Sequence, residues 1–250
     1  GAILTLTLAP PWATYLLIQI ASVLCGDEFY RIVLGPERVR ERMLGTALIA
    51  GTVGAAWFAP ALLPAIALLG GPLLMTVVLL SSGDVETLSP RLAFLVTGFV
   101  YLALPLGALT LLAHLDRGPL VVLALFGSVF AGDSGAFFSG KFLGKHKLYE
   151  KISPKKTWEG SVGGAIASVG GFTLIATLGK LPFTLPECVV YGLVLGVVEQ
   201  VGDLVESLFK RAGGVKDSGS LLPGHGGMLD RVDGVLFAAP MLFAIMSLRG

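Results

Sequence analysis

The chain has 250 residues, of which 54% are hydrophobic and only 14% are charged, and its mean hydropathy is +0.82. Soluble domains carry roughly 25% charged residues, so this composition excludes an ordinary soluble domain and indicates a polytopic integral membrane protein. The net charge of +1 carries no information about partners. Cys25 and Cys188 lie in separate apolar stretches, which favours buried thiols over a disulfide or a metal site.

Nine apolar runs follow one another, and most approach the ~20 residues that a helix needs to cross the bilayer. They occupy residues 2–9, 12–29, 43–58, 62–80, 92–113, 120–138, 158–178, 188–209 and 232–248. We therefore predict an all-α fold with about nine transmembrane helices. The first run is short, and the chain opens in it without a Met or a cleavable signal pattern, which we interpret as a truncated start.

The distribution of lysine and arginine predicts the orientation. If the segment after the second run is cytoplasmic, only Arg117, Lys180 and Arg249 of the 18 basic residues fall outside. This asymmetry agrees with the positive-inside rule. We expect a multi-pass protein of the inner (cytoplasmic) membrane, with its active site facing the cytoplasm.

Neither an internal repeat nor a separate soluble domain interrupts the runs. We therefore expect one transmembrane domain over 1–250, with an N-terminal helical part at about 1–118 and a catalytic part at about 119–250. Two pairs of glycines four residues apart, Gly160 with Gly164 and Gly192 with Gly196, predict close helix packing.

The eighth run carries acids where a spanning helix should avoid them. Glu199, Asp203 and Glu206 are spaced at i, i+4 and i+7, so they share one helical stripe, which Lys210 continues. Ionisable groups inside a membrane segment are costly and usually face a polar cavity. We predict that this stripe lines such a cavity, open to the cytoplasm.

The inner segment 131–164 contains Asp133, six lysines and a Ser153-Pro154 pair. Ser followed by Pro suits an N-cap and the first position of a helix, so we expect a helix to start there. Lys155 and Lys156 would then add their charge to the free N–H groups of that start and form an anion site. The positive-inside rule explains scattered lysines, but it does not explain a buried Asp133.

The inner segment 206–233 is rich in glycine, which lets backbone approach a ligand closely. Between the glycines and after Glu206 lie its charged residues and a histidine: Lys210, Arg211, Lys216, Asp217, His225, Asp230, Arg231 and Asp233. Asp230 and Asp233 open the ninth run, and we expect them at the depth of Asp203 and Glu206.

Converging carboxylates need a cation, and all-oxygen ligands favour Mg²⁺ or a similar hard ion. The chain has no Cys/His cluster with zinc spacing. Enzymes that transfer groups from polyphosphates combine carboxylates that bind Mg²⁺, surrounding lysines and glycine-rich backbone, and this sequence has all three. We interpret His225 as a hydrogen-bonding or phosphate-contact residue rather than a general base.

At these residues the sequence resembles the bacterial phosphatidate cytidylyltransferases, also called CDP-diacylglycerol synthases. The family's C-terminal signature is read here in order as Ser207, Lys210, Arg211, Lys216, Asp217, Gly219, Pro223, His225, Gly226, Gly227, Asp230, Arg231 and Asp233. The stretches "SPKKTWEG" and "GDSGAFFSGKFLGKHK" also resemble the family, as does "DEFYR" after the second run. Gly234 departs from the pattern, where Ser is expected.

The resemblance implies that CTP and phosphatidate react to give CDP-diacylglycerol and pyrophosphate. It also implies a Mg²⁺ requirement and a paired-cation site held by Asp203 and Asp230, the second cation being either divalent or K⁺. Membrane lipid is then a partner and nucleic acid is not, and a homodimer is left open.

These considerations give each candidate residue an expected role. We expect Asp203 and Asp230 to hold metal, with Glu206, Asp233 and Asp133 as further ligands or neighbours. We expect phosphate contacts from Lys155, Lys156, Lys210 and Arg211. The further expected substrate contacts are Lys145, Ser153, Ser207, Lys216, His225 and Arg231.

Two other classes of protein remain alternatives. A cation transporter would explain the intramembrane acids but not the lysine-rich and glycine-rich loops. Another CTP-dependent lipid enzyme, such as a polyprenol kinase or an ether-lipid cytidylyltransferase, would use similar residues, and a kinase would release CDP.

Overall fold

The computed structural model describes residues 11–81, 83–219 and 226–249, and within them the protein is built of helices and one small hairpin. The helices are α1 (Pro11–Leu34), α2 (Val39–Phe58), α3 (Leu63–Leu79), α4 (Val85–Gly98), α5 (Leu104–His114), α6 (Gly118–Leu143), α7 (Trp158–Leu178), α8 (Leu185–Ala212) and α9 (Leu229–Arg249). A 3-10 turn (Pro60–Leu62) precedes α3, and a π-helical stretch (Phe99–Ala103) joins α4 to α5. Strands β1 (Lys147–Tyr149) and β2 (Ser153–Thr157) pair antiparallel.

Eight of the nine predicted runs coincide with these helices, and the run at 2–9 lies outside the described residues. Six helices of the described part are long and apolar enough to span a membrane. They are Pro60–Leu79, Val85–His114, Gly118–Leu143, Trp158–Leu178, Leu185–Ala212 and Leu229–Arg249. The prediction of an all-α, polytopic membrane protein is therefore confirmed, whereas the count of nine stays a prediction. Both cysteines are buried and unpaired, as predicted.

Close packing of α6, α7 and α8 rests on glycine, as predicted from the glycine pairs. A Cβ on Gly164 of α7 would lie 3.0 Å from the Cβ of Ala136 in α6. A Cβ on Gly192 of α8 would lie 2.6 Å from the Cα of Val169 in α7. Only residues without side chains let these backbones come so near, so the three helices form one tight unit.

Aromatic side chains join this unit to the N-terminal helices. The ring of Phe209 in α8 lies 5.0 Å from that of Phe29 in α1 and 5.2 Å from that of Tyr101, measured between centroids. The Tyr30 hydroxyl donates a hydrogen bond to the carbonyl oxygen of Leu95 (3.0 Å). These contacts hold α1 against the C-terminal half of α8, where the acidic stripe ends.

Candidate active site

Three carboxylates meet where α8 ends and α9 begins. Oxygens of Asp203, Glu206 and Asp233 all lie within 4.8 Å of one another, and we call these three residues the carboxylate cluster. Gly202 permits the approach, because a Cβ there would lie 2.6 Å from the carbonyl oxygen of Asp233. The expectation that the start of α9 reaches the depth of the α8 stripe is met by Asp233.

Lysines neutralise part of this negative charge. Lys156 pairs with Asp203 at 2.6 Å between Nζ and Oδ2. Lys210 pairs with Glu206 and, at 2.6 Å, with Asp230. Glu206 is fully buried, and its Oε1 has no hydrogen-bond partner among the described residues. That oxygen therefore stays available to a cation.

Asp230 lies beside the carboxylate cluster rather than in it. Its Oδ2 accepts hydrogen bonds from the Ser218 N–H (2.9 Å), the Ser218 hydroxyl (2.7 Å) and the Gly227 N–H (2.8 Å), while Oδ1 faces Lys210. Its carboxylate thus ties the glycine-rich segment to the end of α8. Its role as a metal ligand, which the resemblance implies, stays a prediction.

The predicted helix start at Ser153-Pro154 is wrong. Residues Ser153–Thr157 form β2, with Thr157 opposite Lys147 and Ser153 opposite Tyr149, because the preceding segment folds back to supply a strand partner. Helix α7 begins at Trp158, and the Thr157 hydroxyl caps it by accepting a hydrogen bond from the Gly160 N–H (3.1 Å).

Glu159 fixes the hairpin to the first turn of α7. Its Oε2 accepts hydrogen bonds from the N–H groups of Lys145 (3.0 Å) and His146 (3.2 Å), and its Oε1 lies 2.6 Å from His146 Nδ1. Lys155 and Lys156 are consequently held beside the start of α7, as expected, although from a strand.

A polar cavity of about 390 Å³ lies between α6, β2, α7 and α8. Its polar side chains are Asp133, Lys141, Lys155, Lys156, Thr157, Ser161, Gln200 and Asp203. Asp133 was expected to be buried, but it is exposed, because it faces this cavity rather than packed side chains. The cavity joins the lysine hairpin to the carboxylate cluster through Asp203.

Glu199 occupies the deeper end of the acidic stripe and is buried. It receives a long hydrogen bond from the Ser168 hydroxyl (3.4 Å), and its Oε2 has no partner among the described residues. Gly234, which stands where the family pattern has Ser, leaves space beside Glu199, since a Cβ on Gly234 would lie 3.2 Å from the Glu199 Cβ.

The other residues predicted to contact substrate lie less close to the carboxylate cluster and the cavity. The Ser207 hydroxyl donates to Asp203 Oδ1 at 3.4 Å, and Arg211 donates to the carbonyl oxygen of Val215 at 3.3 Å. Four others lie outside both the carboxylate cluster and the lining of the cavity: Lys145, Ser153, Lys216 and Arg231. His225 lies outside the described residues.

Sequence reasoning did not single out Glu28, Ser218 or Gln200. Glu28 belongs to the "DEFYR" stretch, and an acid at the end of an apolar run was the available signal. Ser218 and Gln200 are common polar residues, and only their contacts in the fold distinguish them.

Comparison with known proteins finds one enzyme family and several bacterial relatives. The profile described as "Cytidylyltransferase family" matches residues 1–249. The chain is 49% identical over 124 residues to the phosphatidate cytidylyltransferase of Brucella suis, covering 49% of this chain and 45% of that protein. It is 45% identical over 134 residues to that of Synechocystis sp. (52% and 44% covered) and 47% identical over 120 residues to that of Bacillus subtilis (48% and 45% covered). In these alignments the chain spans a little under half the length of the curated relatives it matches.

Proposed function

Because the chain belongs to the cytidylyltransferase family, we propose that it transfers the cytidylyl group of CTP to phosphatidate, giving CDP-diacylglycerol and pyrophosphate. The observation that carries the proposal is the polar cavity, in which Asp203 connects a lysine-bearing hairpin to a cluster of three carboxylates. The membrane helices of the protein suit a reaction that joins a soluble nucleotide to a lipid.

The chemistry requires charge control more than proton transfer. A phosphate oxygen of phosphatidate forms a bond to the α-phosphorus of CTP, and the bond from that phosphorus to the oxygen bridging to the β-phosphorus breaks. The electron pair leaves with pyrophosphate. Because the attacking phosphate is already anionic near neutral pH, neutralisation and in-line positioning supply most of the catalysis.

Residues of this chain are assigned accordingly. Lys155, Lys156 and Lys141 line the cavity and supply ammonium groups to the phosphates of CTP. Asp203 keeps Lys156 at the boundary between nucleotide and carboxylate cluster. Lys210 reaches Glu206 and Asp230 from α8 and links the cluster to the glycine-rich segment.

The carboxylate cluster fits a hard divalent cation. Three acids within 4.8 Å repel one another unless a cation is shared, and Glu206 Oε1 has no other partner among the described residues. We assign Asp203, Glu206 and Asp233 to hold Mg²⁺, and Asp230 remains the predicted ligand of a second cation, divalent or K⁺. When bound, Mg²⁺ supplies charge neutralisation for the triphosphate.

An apolar cavity of about 470 Å³ suits the acyl chains of the lipid. It lies between α4, the π-helical stretch, α5, α8 and α9. Val205 of its lining adjoins Glu206 along α8, and Phe237 lies one turn beyond Asp233 on α9. A lipid phosphate at the carboxylate cluster would therefore have apolar surface close by.

The location proposed for this chemistry follows the distribution of basic residues. We place the protein in the inner membrane of a bacterium, with the polar cavity open to the cytoplasm, where CTP is made. The part from about residue 119 onwards carries the assigned residues and is proposed as the catalytic part. A homodimer stays a prediction.

A product assay tests the proposed function directly. Purified protein in detergent micelles containing phosphatidate, Mg²⁺ and CTP labelled at the α-phosphate should yield labelled CDP-diacylglycerol and an equal amount of pyrophosphate. Release of CDP would instead identify a lipid kinase. Product with an ether lipid but none with phosphatidate would identify an ether-lipid cytidylyltransferase. If CTP is not consumed with any lipid, the cation transporter is the alternative that remains.

Lys156→Met tests the proposed phosphate contact. A hydrogen bond to a charged group contributes about 1.5–3 kcal/mol, so we expect the KM for CTP to rise roughly 10- to 100-fold. Lys151→Met removes an exposed lysine from the same hairpin and should leave the KM unchanged. Equal KM values for the two variants would contradict the assignment of Lys156.

A further inference from the structure

Glu28 reaches the start of α9 from a helix 200 residues earlier in the sequence. Its Oε1 accepts a hydrogen bond from the Met228 N–H (2.9 Å), and its Oε2 accepts one from the Leu229 N–H (2.8 Å). Free N–H groups at a helix start need acceptors and favour negative charge. A side chain of α1 therefore serves as the cap of α9.

The same carboxylate connects to the proposed active site. The Ser218 hydroxyl lies 3.1 Å from Glu28 Oε2 and 2.7 Å from Asp230 Oδ2. Asp230 in turn faces Lys210, which pairs with Glu206 of the carboxylate cluster. Contacts thus run without a gap from α1 to the cluster.

Backbone on both sides of residues 220–225 packs against Glu28. A Cβ on Gly219 would lie 2.8 Å from Glu28 Oε1, and a Cβ on Gly227 would lie 2.4 Å from Oε2. Larger residues at either position would displace the carboxylate. Gly219 and Gly227, on either side of residues 220–225, are therefore both packed closely against the Glu28 carboxylate.

Burial of Glu28 has a cost that these contacts must offset. The residue is 9% exposed, and none of the three groups that contact its carboxylate (the Ser218 hydroxyl and the N–H groups of Met228 and Leu229) carries a positive charge. A buried carboxylate without a cationic partner is destabilising unless hydrogen bonds compensate. Two backbone N–H groups donate to it, and the Ser218 hydroxyl, whose single proton is shared between Glu28 and the nearer Asp230, lies within 3.1 Å.

We propose that Glu28 is a positioning residue for the cytidylyl transfer: it orients Asp230 and Lys210 by holding the start of α9 and Ser218. This inference rests on the proposed function. It gives the N-terminal part of the chain a role in the reaction, although the residues assigned to substrates and metal lie in the C-terminal part.

Glu28→Gln is the test, with Glu41→Gln as its matched control. Glutamine has the size of glutamate but offers one acceptor oxygen, so one of the two backbone N–H groups loses its partner. Glu41 is likewise a buried acid of the N-terminal half, paired with Arg91 between α2 and α4, and it belongs neither to the carboxylate cluster nor to the lining of the polar cavity. Both variants remove one buried negative charge.

Two measurements separate positioning from a loss of folded protein. We expect Glu28→Gln to lower kcat roughly 10- to 100-fold, the effect of a small misplacement of reacting groups, with little change in the KM for CTP. Amide hydrogen exchange of peptides spanning 213–230 should become faster in Glu28→Gln than in Glu41→Gln. Ser218→Ala removes the hydroxyl that contacts both Glu28 and Asp230 but keeps the backbone N–H bond to Asp230 and the two N–H bonds to Glu28, so it should give a smaller loss of kcat.

The outcomes distinguish this inference from the proposed function. Equal kcat in Glu28→Gln and Glu41→Gln would overturn the positioning role, and so would unchanged exchange at 213–230. If the unaltered protein makes no CDP-diacylglycerol, the proposed function fails, and the positioning role in that reaction fails with it. Faster exchange in Glu28→Gln would then still support the contacts to the start of α9.

Discussion

Asp203→Asn is expected to lower kcat by at least about 100-fold, the loss that follows removal of one key electrostatic group from an active site. Asparagine keeps the size of the side chain but removes its charge. The change weakens both the place of Asp203 in the carboxylate cluster and its ion pair with Lys156. Turnover measured with labelled CTP and phosphatidate checks the result.

Stability gives the same variant a second readout. Without Mg²⁺, the three carboxylates of the cluster repel one another, so Asp203→Asn should unfold at the same or a higher temperature than the unaltered protein. Added Mg²⁺ should raise the melting temperature of the unaltered protein, because a ligand that binds the folded state stabilises it. We expect the variant to lose most of this increase.

Asp116→Asn is the control for this experiment, since Asp116 is exposed in the connection between α5 and α6. It should keep both turnover and the response to Mg²⁺. Retained turnover in Asp203→Asn, or an unchanged response to Mg²⁺, would contradict the assignment of Asp203 as a metal ligand.

Lys210→Met, unlike Asp203→Asn, is expected to destabilise the folded protein. Glu206 is fully buried, Lys210 keeps only 12% of its side chain exposed, and the Lys210 ammonium group also pairs with Asp230. Removing one partner of a buried ion pair costs about 3–5 kcal/mol, because the other charge stays buried without compensation. We expect a lower melting temperature in detergent, and turnover reduced by at least about 100-fold because Asp230 loses its orientation.

Two further variants isolate the charge of Lys210. Lys210→Arg keeps the charge and should recover part of both stability and turnover. Lys180→Met, at an exposed lysine between α7 and α8, should change neither. If Lys210→Met melted at the same temperature as Lys180→Met, the ion pairs to Glu206 and Asp230 would not contribute to stability.

Predictions that depend on local pattern agree with the structure. Apolar runs coincide with helices such as Gly118–Leu143 and Leu229–Arg249, because a segment in lipid must satisfy its own backbone hydrogen bonds and a helix does so locally. Asp203 and Glu206 share a face of α8 because helical periodicity places them there. Glycine spacing in α7 and α8 likewise predicted close packing.

The local sequence pattern could not predict how α9 is rotated about its axis. Asp230 and Asp233 are three residues apart in one helix, and the resemblance favoured Asp230 as the partner of Asp203, with Asp233 as a further ligand. In the fold Asp233 joins the carboxylate cluster, while Asp230 turns to Ser218, Gly227 and Lys210. Packing of α9 against α8 at Gly202 decides between them.

By itself, the sequence determined that this is a membrane protein of helices, with acids on one stripe of α8 and lysines in the segments between helices. Tertiary structure decided that Ser153–Thr157 pairs as a strand, that Asp133 faces a cavity, and that Glu28 caps α9. The physical reason is the range of the interactions. Helix formation and bilayer insertion depend on neighbouring residues, whereas the partner of a strand or of a buried carboxylate lies elsewhere in the chain and is fixed only when the helices pack.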